Sequence, residues 1–517
     1  MKSMFCVAGT AILAAALGGC PSGGPGDPLP GGGGEHLIRF VQISDTQIVD
    51  EESPARLVRF VALTRSAWRP QEAYGVQTLD ATLRVINDRV AAKGATEFPI
   101  DFLVATGDLA DGCQHNELRW FIDTMDGKAV LPDSGAPDGA ERDQEPEDNP
   151  KLMYQTEGLN PSIPWYTVFG NHDGYAVGVF NIDRSAEDSR DWVAPLLRPV
   201  ALLTGLHDLR PPSNEFSPTS DRSPAVIRAS EELIESDTLM LRQDLLEAGP
   251  VVPDPDRRFV SRKMFIEEHF NTTTQPVGHG FDDGNRETGC TRYSTRPKKD
   301  VPVRLLVIDT VAPYQIDGLP AHYGVMTREQ FENFVKPEIE AAEDAGEWVL
   351  IASHHPSDDF DTPFPGLTVG AREFRRYLTS RTNVVAHICG HTHKNRVTQI
   401  DGPNPYYEIE TGSIIDYPQE GRILDVYYDE ASNSIRLVSE MVSHMENPTR
   451  LSAESFRRAE MDALNREIIS NEAKALRDEL KRAGIASWPG TSPRKEESMG
   501  REEDRNFDIT FPRVRRP

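Results

Sequence analysis

Five apolar runs in the chain each end in residues that bind metal ions in proteins. The runs lead into Asp45, Gly107-Asp108, Gly170-Asn171-His172-Asp173, His354-His355-Pro356 and Gly390-His391-Thr392-His393. A single acid after a strand is more often a turn former or a helix cap than a ligand. Five such ends that carry Asp, Asn and His together predict a metal site along one edge of a sheet.

The mixture of oxygen and nitrogen ligands indicates which chemistry this edge can support. Carboxylate, amide and imidazole groups together suit Mn, Fe, Zn or Co better than Mg or Ca alone. Two such cations held close together lower the pKa of a shared water and clamp both oxygens of an in-line phosphoryl displacement. A nearby acid must then protonate the leaving oxygen.

Strands must deliver these side chains, and the apolar pattern predicts where they lie. The predicted strands that precede the five ends are residues 37–44, 102–106, 164–169, 347–353 and 384–389. Residues 74–91 have apolar side chains at helical spacing, so strand, helix and strand form a parallel crossover unit. Strands at 406–410, 421–428 and 434–442 add an antiparallel portion. We therefore predict an α/β sandwich of two mixed sheets packed face to face and flanked by helices.

The order of the five motifs resembles that of a known superfamily. The series Asp45-x-Gln47, Gly107-Asp108-x-x-Asp111, Gly170-Asn171-His172-Asp173, His354-His355-Pro356 and Gly390-His391-Thr392-His393 is similar to D-x-H, GD, GNH[DE], H-x-P and GH-x-H of the calcineurin-like metallophosphoesterases. Residues 50–56, 69–72, 114–117 and 416–422 further resemble a bacterial extracytoplasmic branch. The resemblance implies a four-layer sandwich and hydrolysis of phosphate mono- or diesters.

The resemblance also implies a ligand set for two divalent metal ions, Mn, Fe, Zn or Mg. The implied ligands are Asp45, Gln47 and His393 for the first metal, Asn171, His354 and His391 for the second, and Asp108 as the bridge between them. His355 falls between two motif positions and is not expected to be a ligand.

Catalytic roles follow from the same resemblance. His172 is expected to lie over the substrate phosphate, where it stabilises charge or protonates the leaving group. Asp173 is expected to orient His172 from behind. Asp111 is expected to be structural or to support a ligand.

Gln47 departs from the family pattern, which has histidine at this position. An amide oxygen can bind a hard metal, but it is a weaker donor than imidazole. On one interpretation Gln47 still binds through its oxygen. On another, the first site is looser, selects Mn or Mg over Fe or Zn, or is partly empty. The second interpretation supports an alternative function, a catalytically weak surface binding protein that retains the fold.

Several polar residues outside the motifs have two interpretations each. Arg69, Asn116, Asp416 and Arg422 either line the pocket or form salt bridges that lock loops. His279 either touches the substrate or has no role, and His115 is exposed or supports a ligand.

The net charge of −27 argues against broad nucleic-acid binding and against adsorption to anionic lipid. It does not exclude a small phosphorylated substrate, because a metal centre supplies local positive charge. The content of 38% hydrophobic and 26% charged residues is typical of a globular body with a sizeable core.

The N-terminus has the pattern of a targeting segment. Lys2 precedes a short apolar run at residues 5–17, and Leu17-Gly18-Gly19-Cys20 resembles the lipobox of bacterial lipoproteins. The resemblance implies a signal peptide at 1–19 and a lipid on Cys20 that anchors the protein at the cell envelope, outside the cytoplasm. Residues 20–36 are rich in Gly and Pro and predict a flexible tether. A plain cleaved signal peptide is the alternative.

We predict one main domain at 37–450, with a cap-like insertion at about 183–300 that shapes substrate access. Residues 451–517 are predicted to form a charged helix and an extended tail. Cys113 and Cys290 lie in loop-like stretches and can pair outside the cytoplasm. Cys389 ends an apolar run and is predicted to be a buried free thiol.

Overall fold

The computed structural model describes residues 34–53, 69–91, 98–135, 149–178, 222–224, 248–250, 254–312, 323–463 and 495–513. These residues form two six-stranded sheets and three two-stranded pairs. No helix among them is long and apolar enough to cross a membrane.

The described strands follow one another along the chain with helices between them. They are β1 Glu35–Ile43, β2 Phe102–Ala105, β3 Ala129–Val130, β4 Tyr154–Gln155, β5 Trp165–Thr167, β6 Arg222–Pro224, β7 Ala248–Pro250, β8 Tyr293–Thr295, β9 Val303–Val307, β10 Met326–Thr327, β11 Trp348–Ala352, β12 Thr368–Val369, β13 Val384–Cys389, β14 Arg396–Ile400, β15 Tyr406–Glu410, β16 Glu420–Asp429, β17 Ser434–Ser443 and β18 Phe507–Pro512.

The described helices vary in length. They are α1 Gly75–Ala91, α2 His115–Met125, α3 Asn171–Gly174, α4 Arg262–Glu268, α5 Asp283–Thr288, α6 Arg328–Asp344 with a π-helical stretch at Phe331–Val335, α7 Ala371–Ser380, α8 at residues 450–463, α9 Lys495–Met499 and α10 Glu502–Arg505. Thr327 caps α6, because its side chain accepts a hydrogen bond from the backbone N–H of Gln330.

The first large sheet has the order β18-β17-β16-β1-β2-β5. Its strands β1, β2 and β5 run parallel, so their carboxyl ends meet at one edge. The strands β16, β17 and β18 are each antiparallel to their neighbours. Three of the five ligand-bearing ends therefore come from this sheet.

The second large sheet has the order β14-β15-β13-β11-β9-β8. The four central strands are parallel, and β8 and β14 are antiparallel at its two edges. The strands β11 and β13 deliver the two histidine motifs. The sequence pattern did not reveal the edge strands β8 and β14, because they are short and polar.

Side chains of the second sheet alternate between two apolar cores. Leu305 and Val307 belong to the core that includes the first sheet, whereas Leu306 packs among the apolar residues of α6 and α7. Successive strand residues point to opposite faces, and both faces are covered here. On the other side, Phe121 of α2 packs edge-on against Trp165 of β5. The predicted α/β class with two mixed sheets and flanking helices is confirmed.

The C-terminal segment completes the first sheet. Strand β18 pairs with β17. The fully buried Arg422 holds the end of α10, which directly precedes β18. The guanidinium of Arg422 donates to the carbonyl oxygens of Asp504 and Arg505 at 2.8 and 2.9 Å. Of its two interpretations, the loop lock is the one that these contacts support.

Residues 254–300, the last part of the predicted insertion, pack onto the body of the domain. Strand β8 belongs to the second sheet, and Phe265 and Phe281 lie in the core. His279 is buried there and stacks on Trp165 at 3.5 Å between ring centroids, so it lies in the core and not at the strand ends. The sequence also predicts a helix within 233–248, of which residues 233–247 lie outside the described residues. The domain boundaries stay predictions.

The cysteines differ in part from expectation. Both Cys113 and Cys290 are described, and no disulfide joins them. The thiol of Cys113 instead donates to the carbonyl oxygen of Asp173 at 3.1 Å, which directs it into the protein. Cys389 is a buried thiol without a disulfide, as predicted.

Candidate metal centre

The five predicted strand ends meet where the two large sheets adjoin. The backbone N–H of Gly390, after β13, donates to the carbonyl oxygen of His354, after β11, at 2.9 Å. The side chain of Gln42 in β1 donates to the carbonyl oxygen of Cys389 at 2.9 Å, which ties the first sheet to the second. The loops of both sheets therefore share one edge.

The residues implied for the first metal lie close to the carboxylates of Asp45 and Asp108. Oδ1 of Asp45 lies 3.2 Å from Nε2 of His393. Nε2 of Gln47 donates to Oδ2 of Asp108 at 3.3 Å. The other oxygen of Asp45, Oδ2, accepts from the backbone N–H of His391 at 3.0 Å, which fixes the carboxylate.

The residues implied for the second metal form a contiguous set with the first. Nε2 of His354 lies 3.2 Å from Oδ2 of Asp108 and 2.9 Å from Oδ1 of Asn171. Nδ1 of His391 lies 3.1 Å from the same Asn171 oxygen. The ligand atoms of Asp45, Asp108 and His354 all lie within 4.8 Å of one another. The structure thus brings all seven implied ligands together.

Two buried oxygen atoms at this site have no hydrogen-bond partner. Oε1 of Gln47 is one of them, and Oδ1 of Asp45 is the other, despite its proximity to His393. A buried polar atom without a partner costs about 1–3 kcal/mol. A cation among these oxygens would satisfy both, so the donor set fits a divalent metal.

The backbone around the ligands adopts a conformation that L residues rarely take. Five of the seven implied ligands have positive φ angles, namely Asp45 at 50°, Gln47 at 38°, Asp108 at 53°, His391 at 68° and His393 at 54°. Each such residue costs about 1–3 kcal/mol and persists where the surroundings enforce it, as at functional sites. Tight turns after the strands therefore aim the side chains at a common point.

Two motif glycines are required by close approach to the carboxylates. A Cβ atom on Gly170 would lie 2.2 Å from Oδ1 of Asp108, and one on Gly390 would lie 2.5 Å from Oδ2 of Asp45. Any larger residue would displace a predicted ligand. Glycine is therefore required at these two motif positions because no side chain fits there.

Residues 38–221 of the chain match the family model of calcineurin-like phosphoesterases. This part of the chain, less than half of the sequence, is therefore similar to the calcineurin-like phosphoesterases. The matched range contains Asp45, Gln47, Asp108 and Asn171, and the fold adds His354, His391 and His393 to the same site. The family implies divalent metal ions in a two-metal site, and these residues are the ones that would hold them.

A solved structure and the curated proteins were also compared with this chain. The crystal structure of a dimetal phosphatase from Danio rerio is 15% identical, with 79% of this chain and 97% of that chain covered and a TM-score of 0.33. A likeness of this size bears on neither activity nor substrate. The comparison with curated proteins found no match.

Groups behind the site fix which ring nitrogen of His354 and of His393 faces the other implied ligands. Nδ1 of His354 lies 2.8 Å from the carbonyl oxygen of Thr106, and Nδ1 of His393 lies 2.7 Å from Oδ2 of Asp416. Donation at Nδ1 leaves Nε2 as the metal-binding atom. Burial lowers the pKa of each ring, but Asp108 raises that of His354 and Asp45 raises that of His393 further, to about 9.

The carboxylate of Asp108 is held by its backbone neighbours and by the histidines. Oδ1 accepts the backbone N–H of His172 at 2.8 Å. Burial raises the pKa of Asp108, but His354 and His172 lower it by more, so that the net pKa is below its ordinary value. A carboxylate that stays ionised is what a bridge between two cations requires.

The expected contact between Asp173 and His172 is wrong. The carboxylate of Asp173 accepts backbone N–H groups of Asp108, Leu109, Ala110 and Gly170 at 2.9–3.2 Å. It therefore shapes the loop that carries Asp108, and burial together with Asp108 raises its pKa to about 8. The ring of His172 is held instead by the carbonyl oxygen of Asp111, 2.7 Å from Nδ1.

Asn116 and His115, which each have two interpretations, and His355 occupy distinct positions. Asn116 donates to Asp50 at 2.7 Å in a buried loop, which supports the loop-lock interpretation. His115 lies 3.2 Å from Glu268, away from the ligands. His355 lies beside His391, with 4.3 Å between ring centroids, and its Nδ1 is 2.9 Å from Oγ1 of Thr310.

A buried network that the sequence did not reveal supports the loop with His354. Oγ of Ser353 donates to the carbonyl oxygen of His355 at 2.7 Å and lies 2.6 Å from Nε2 of His387. Nδ1 of His387 lies 2.9 Å from Oε2 of Glu408. Glu408 and His387 lie within strands, where a sequence pattern indicates burial but not a partner.

This network predicts a pH-dependent contribution to stability. Burial raises the pKa of Glu408, but its hydrogen bond and ion pair with His387 lower it by more, to about 2 from 4.5. Because the folded pKa lies below the unfolded one, the carboxylate stabilises the fold above pH 4.5, by about 3 kcal/mol. This contribution is lost as the pH falls from 4.5 towards 2.

We expect Glu408→Gln to lower the free energy of unfolding most at neutral pH, with a difference from wild type that narrows below pH 4.5. Urea unfolding at several pH values measures this difference. The exposed Glu430→Gln serves as the control and should match wild type throughout. A difference independent of pH would contradict the assigned ion pair.

Proposed function

We propose that this chain is a metal-dependent phosphoesterase that hydrolyses phosphate mono- or diesters of a small substrate. The observation that carries the proposal is the convergence of six side chains with oxygen or nitrogen ligands on Asp108, two of them with buried oxygens that lack a hydrogen-bond partner. When bound, a pair of divalent cations supplies Lewis acidity and an acidified water. The residues of the chain orient the substrate and move the proton.

In this proposal His172 serves the leaving group. Its Nδ1 is held by the carbonyl oxygen of Asp111, so the ring presents Nε2 to the site. Nε2 lies 4.0 Å from Oδ2 of Asp108, next to the metal-binding edge. A protonated Nε2 at this position can stabilise phosphate charge and donate its proton to the departing oxygen.

Replacement of the bridging residue tests the activity. Asp108→Asn should lower kcat/KM for an aryl phosphate or a bis-aryl phosphate, with Mn added, by at least about 1,000-fold, or about 4 kcal/mol. The reason is that an amide offers one neutral oxygen where a bridge needs two. The control is Asp425→Asn, which replaces a buried carboxylate of β16 that pairs with His36. An unchanged rate in Asp108→Asn would reject the mechanism.

We further propose that the first site prefers a hard cation such as Mn or Mg. Asp45, Gln47 and Asp108 offer it oxygen, and His393 offers one nitrogen. The second site has two imidazole ligands and so suits a softer ion such as Zn or Fe. Gln47 accounts for this difference in metal preference, because it offers the first site an amide oxygen in place of a second imidazole.

Gln47→His should raise the Zn content of the protein relative to Mn after equilibration with both ions. We expect a change of at least about tenfold in relative affinity, since imidazole is the stronger ligand for Zn. Elemental analysis of the dialysed protein measures it, and the exposed Gln399→His is the control. Equal Zn to Mn ratios in wild type and Gln47→His would exclude this role of Gln47.

The same analysis of wild type decides between the enzyme and a binding protein. About two metals per chain with turnover support the phosphoesterase. None or one metal without turnover supports the alternative, a surface protein that retains the fold and binds its partner without hydrolysis. The departure at Gln47 is the feature that favours this alternative.

We also propose that a lipid on Cys20 anchors the protein at the cell envelope, outside the cytoplasm. The support is the sequence Leu17-Gly18-Gly19-Cys20 after a short apolar run. In a bacterial host, Cys20→Ser should abolish incorporation of labelled fatty acid and move the protein from the membrane to the soluble fraction. Cys6→Ser, within the same segment, should change neither. Retention of label in Cys20→Ser would contradict the anchor.

A further inference from the structure

Arg69 is a buried arginine that lies between two carboxylates behind the site. Its side chain is 2% exposed. Nε donates to Oδ1 of Asp416 at 3.1 Å, and Nη1 donates to Oδ1 of Asp111 at 3.2 Å. Arg69 itself contacts none of the seven implied metal ligands in these hydrogen bonds.

Each of the two carboxylate residues holds one histidine of the site. Oδ2 of Asp416 lies 2.7 Å from Nδ1 of His393, an implied ligand of the first metal. The carbonyl oxygen of Asp111 lies 2.7 Å from Nδ1 of His172. Oδ1 of Asp111, which accepts from Arg69, lies 3.4 Å from the same Nδ1 of His172. Buried hydrogen bonds together with this polar contact thus connect His393 through Asp416, Arg69 and Asp111 to His172.

We propose that Arg69 is a positioning residue that sets the orientation of His393 and His172 together. The inference rests on the proposed function, in which one histidine binds metal and the other serves the leaving group. Because both rings depend on one guanidinium, the metal-binding edge and the proton donor keep a fixed geometry relative to each other.

The chemistry of the guanidinium explains why arginine occupies this position. Its planar group holds donors in a rigid fork, whereas a lysine ammonium is a point charge on a flexible stem. Nε and Nη1 reach two different acids at once. If Arg69 were replaced by lysine, the ammonium could satisfy one carboxylate well, and the other would lose a buried charged partner.

Neighbouring groups reinforce the arrangement without replacing it. The side chain of Gln71 also donates to Oδ1 of Asp416, at 3.2 Å. The backbone N–H of Arg69 donates to the carboxylate of Glu72, which fixes the backbone of residues 69–72. The carboxylate of Glu117 is near Asp111 and accepts backbone N–H groups of Asp50 and Gly112. Among the hydrogen bonds named here, those of Arg69 are the ones that reach both Asp416 and Asp111.

The test compares Arg69→Lys with Arg422→Lys in the full chain. Arg422 is likewise fully buried, but its guanidinium donates to other residues, namely Thr411, Ser439, Asn395, Asp504 and Arg505. None of these five is a carboxylate that Arg69 contacts. The first measurement is the side-chain ¹⁵N–¹H spectrum of the histidines in metal-free protein, with signals assigned by His172→Asn and His393→Asn. This spectrum reports ring hydrogen bonds and does not require activity.

We expect Arg69→Lys to shift or broaden the Nδ1–H signals of both His172 and His393, and Arg422→Lys to leave both unchanged. With metal, Arg69→Lys should weaken Mn affinity by about 10–100-fold, as loss of support behind a ligand does. It should lower kcat by a similar factor, with KM changed less than about threefold, because a misplaced proton donor affects the chemical step.

Asp416→Asn provides a second variant if Arg69→Lys does not fold. It alters His393 directly, and it should alter the His172 signal only through Arg69. Unchanged ring signals in Arg69→Lys, a shift of one ring alone, or equal shifts in Arg422→Lys would overturn the inference. If wild type neither binds metal nor turns over, the proposed function fails, and the spectra still decide whether Arg69 joins the two rings.

Discussion

The structure depends on the burial of several carboxylates in one small volume. Asp45, Asp108 and Asp173 are all nearly inaccessible to water at the junction of the two sheets. Burying such charges is costly unless hydrogen bonds and opposite charges compensate them. Backbone N–H groups satisfy Asp173, histidines surround Asp108, and one buried oxygen of Asp45 has no hydrogen-bond partner. A metal centre is the arrangement that resolves this concentration of negative charge.

Neither sheet can form this centre alone. The first sheet supplies the carboxylates, the amide of Gln47 and Asn171, and the second supplies the imidazoles of His354, His391 and His393. The two sheets approach so closely that a Cβ atom on Gly390, after β13, would lie 2.5 Å from Oδ2 of Asp45, after β1. The left-handed turns after the strands add a local energetic cost that the packing of both sheets must sustain. The relative position of the sheets is therefore part of the site.

Groups behind the ligands decide how the ligands are presented. A backbone carbonyl holds His354, Asp416 holds His393, and Glu408 supports the loop of His354 through His387. Such partners fix ring orientation and tune the strength of the metal ligands. Gln47 also affects the strength of the metal ligands, since its neutral oxygen stands where the family pattern has an imidazole. The proposed metal preference and the proposed proton transfer therefore depend both on the ligands and on the groups that hold them.

The sequence by itself determined the ligand types, the order of the motifs and the two mixed sheets. It could do so because each ligand directly follows an apolar strand, and that pattern is local. The tertiary structure decided the partners of these residues. It assigned Asp173 to the backbone of the Asp108 loop and joined Arg69 to Asp416, 347 positions away along the chain. It also brought the edge strands β8, β14 and β18 into the sheets. Contacts of this kind depend on how distant segments pack, and no periodicity along the chain encodes them.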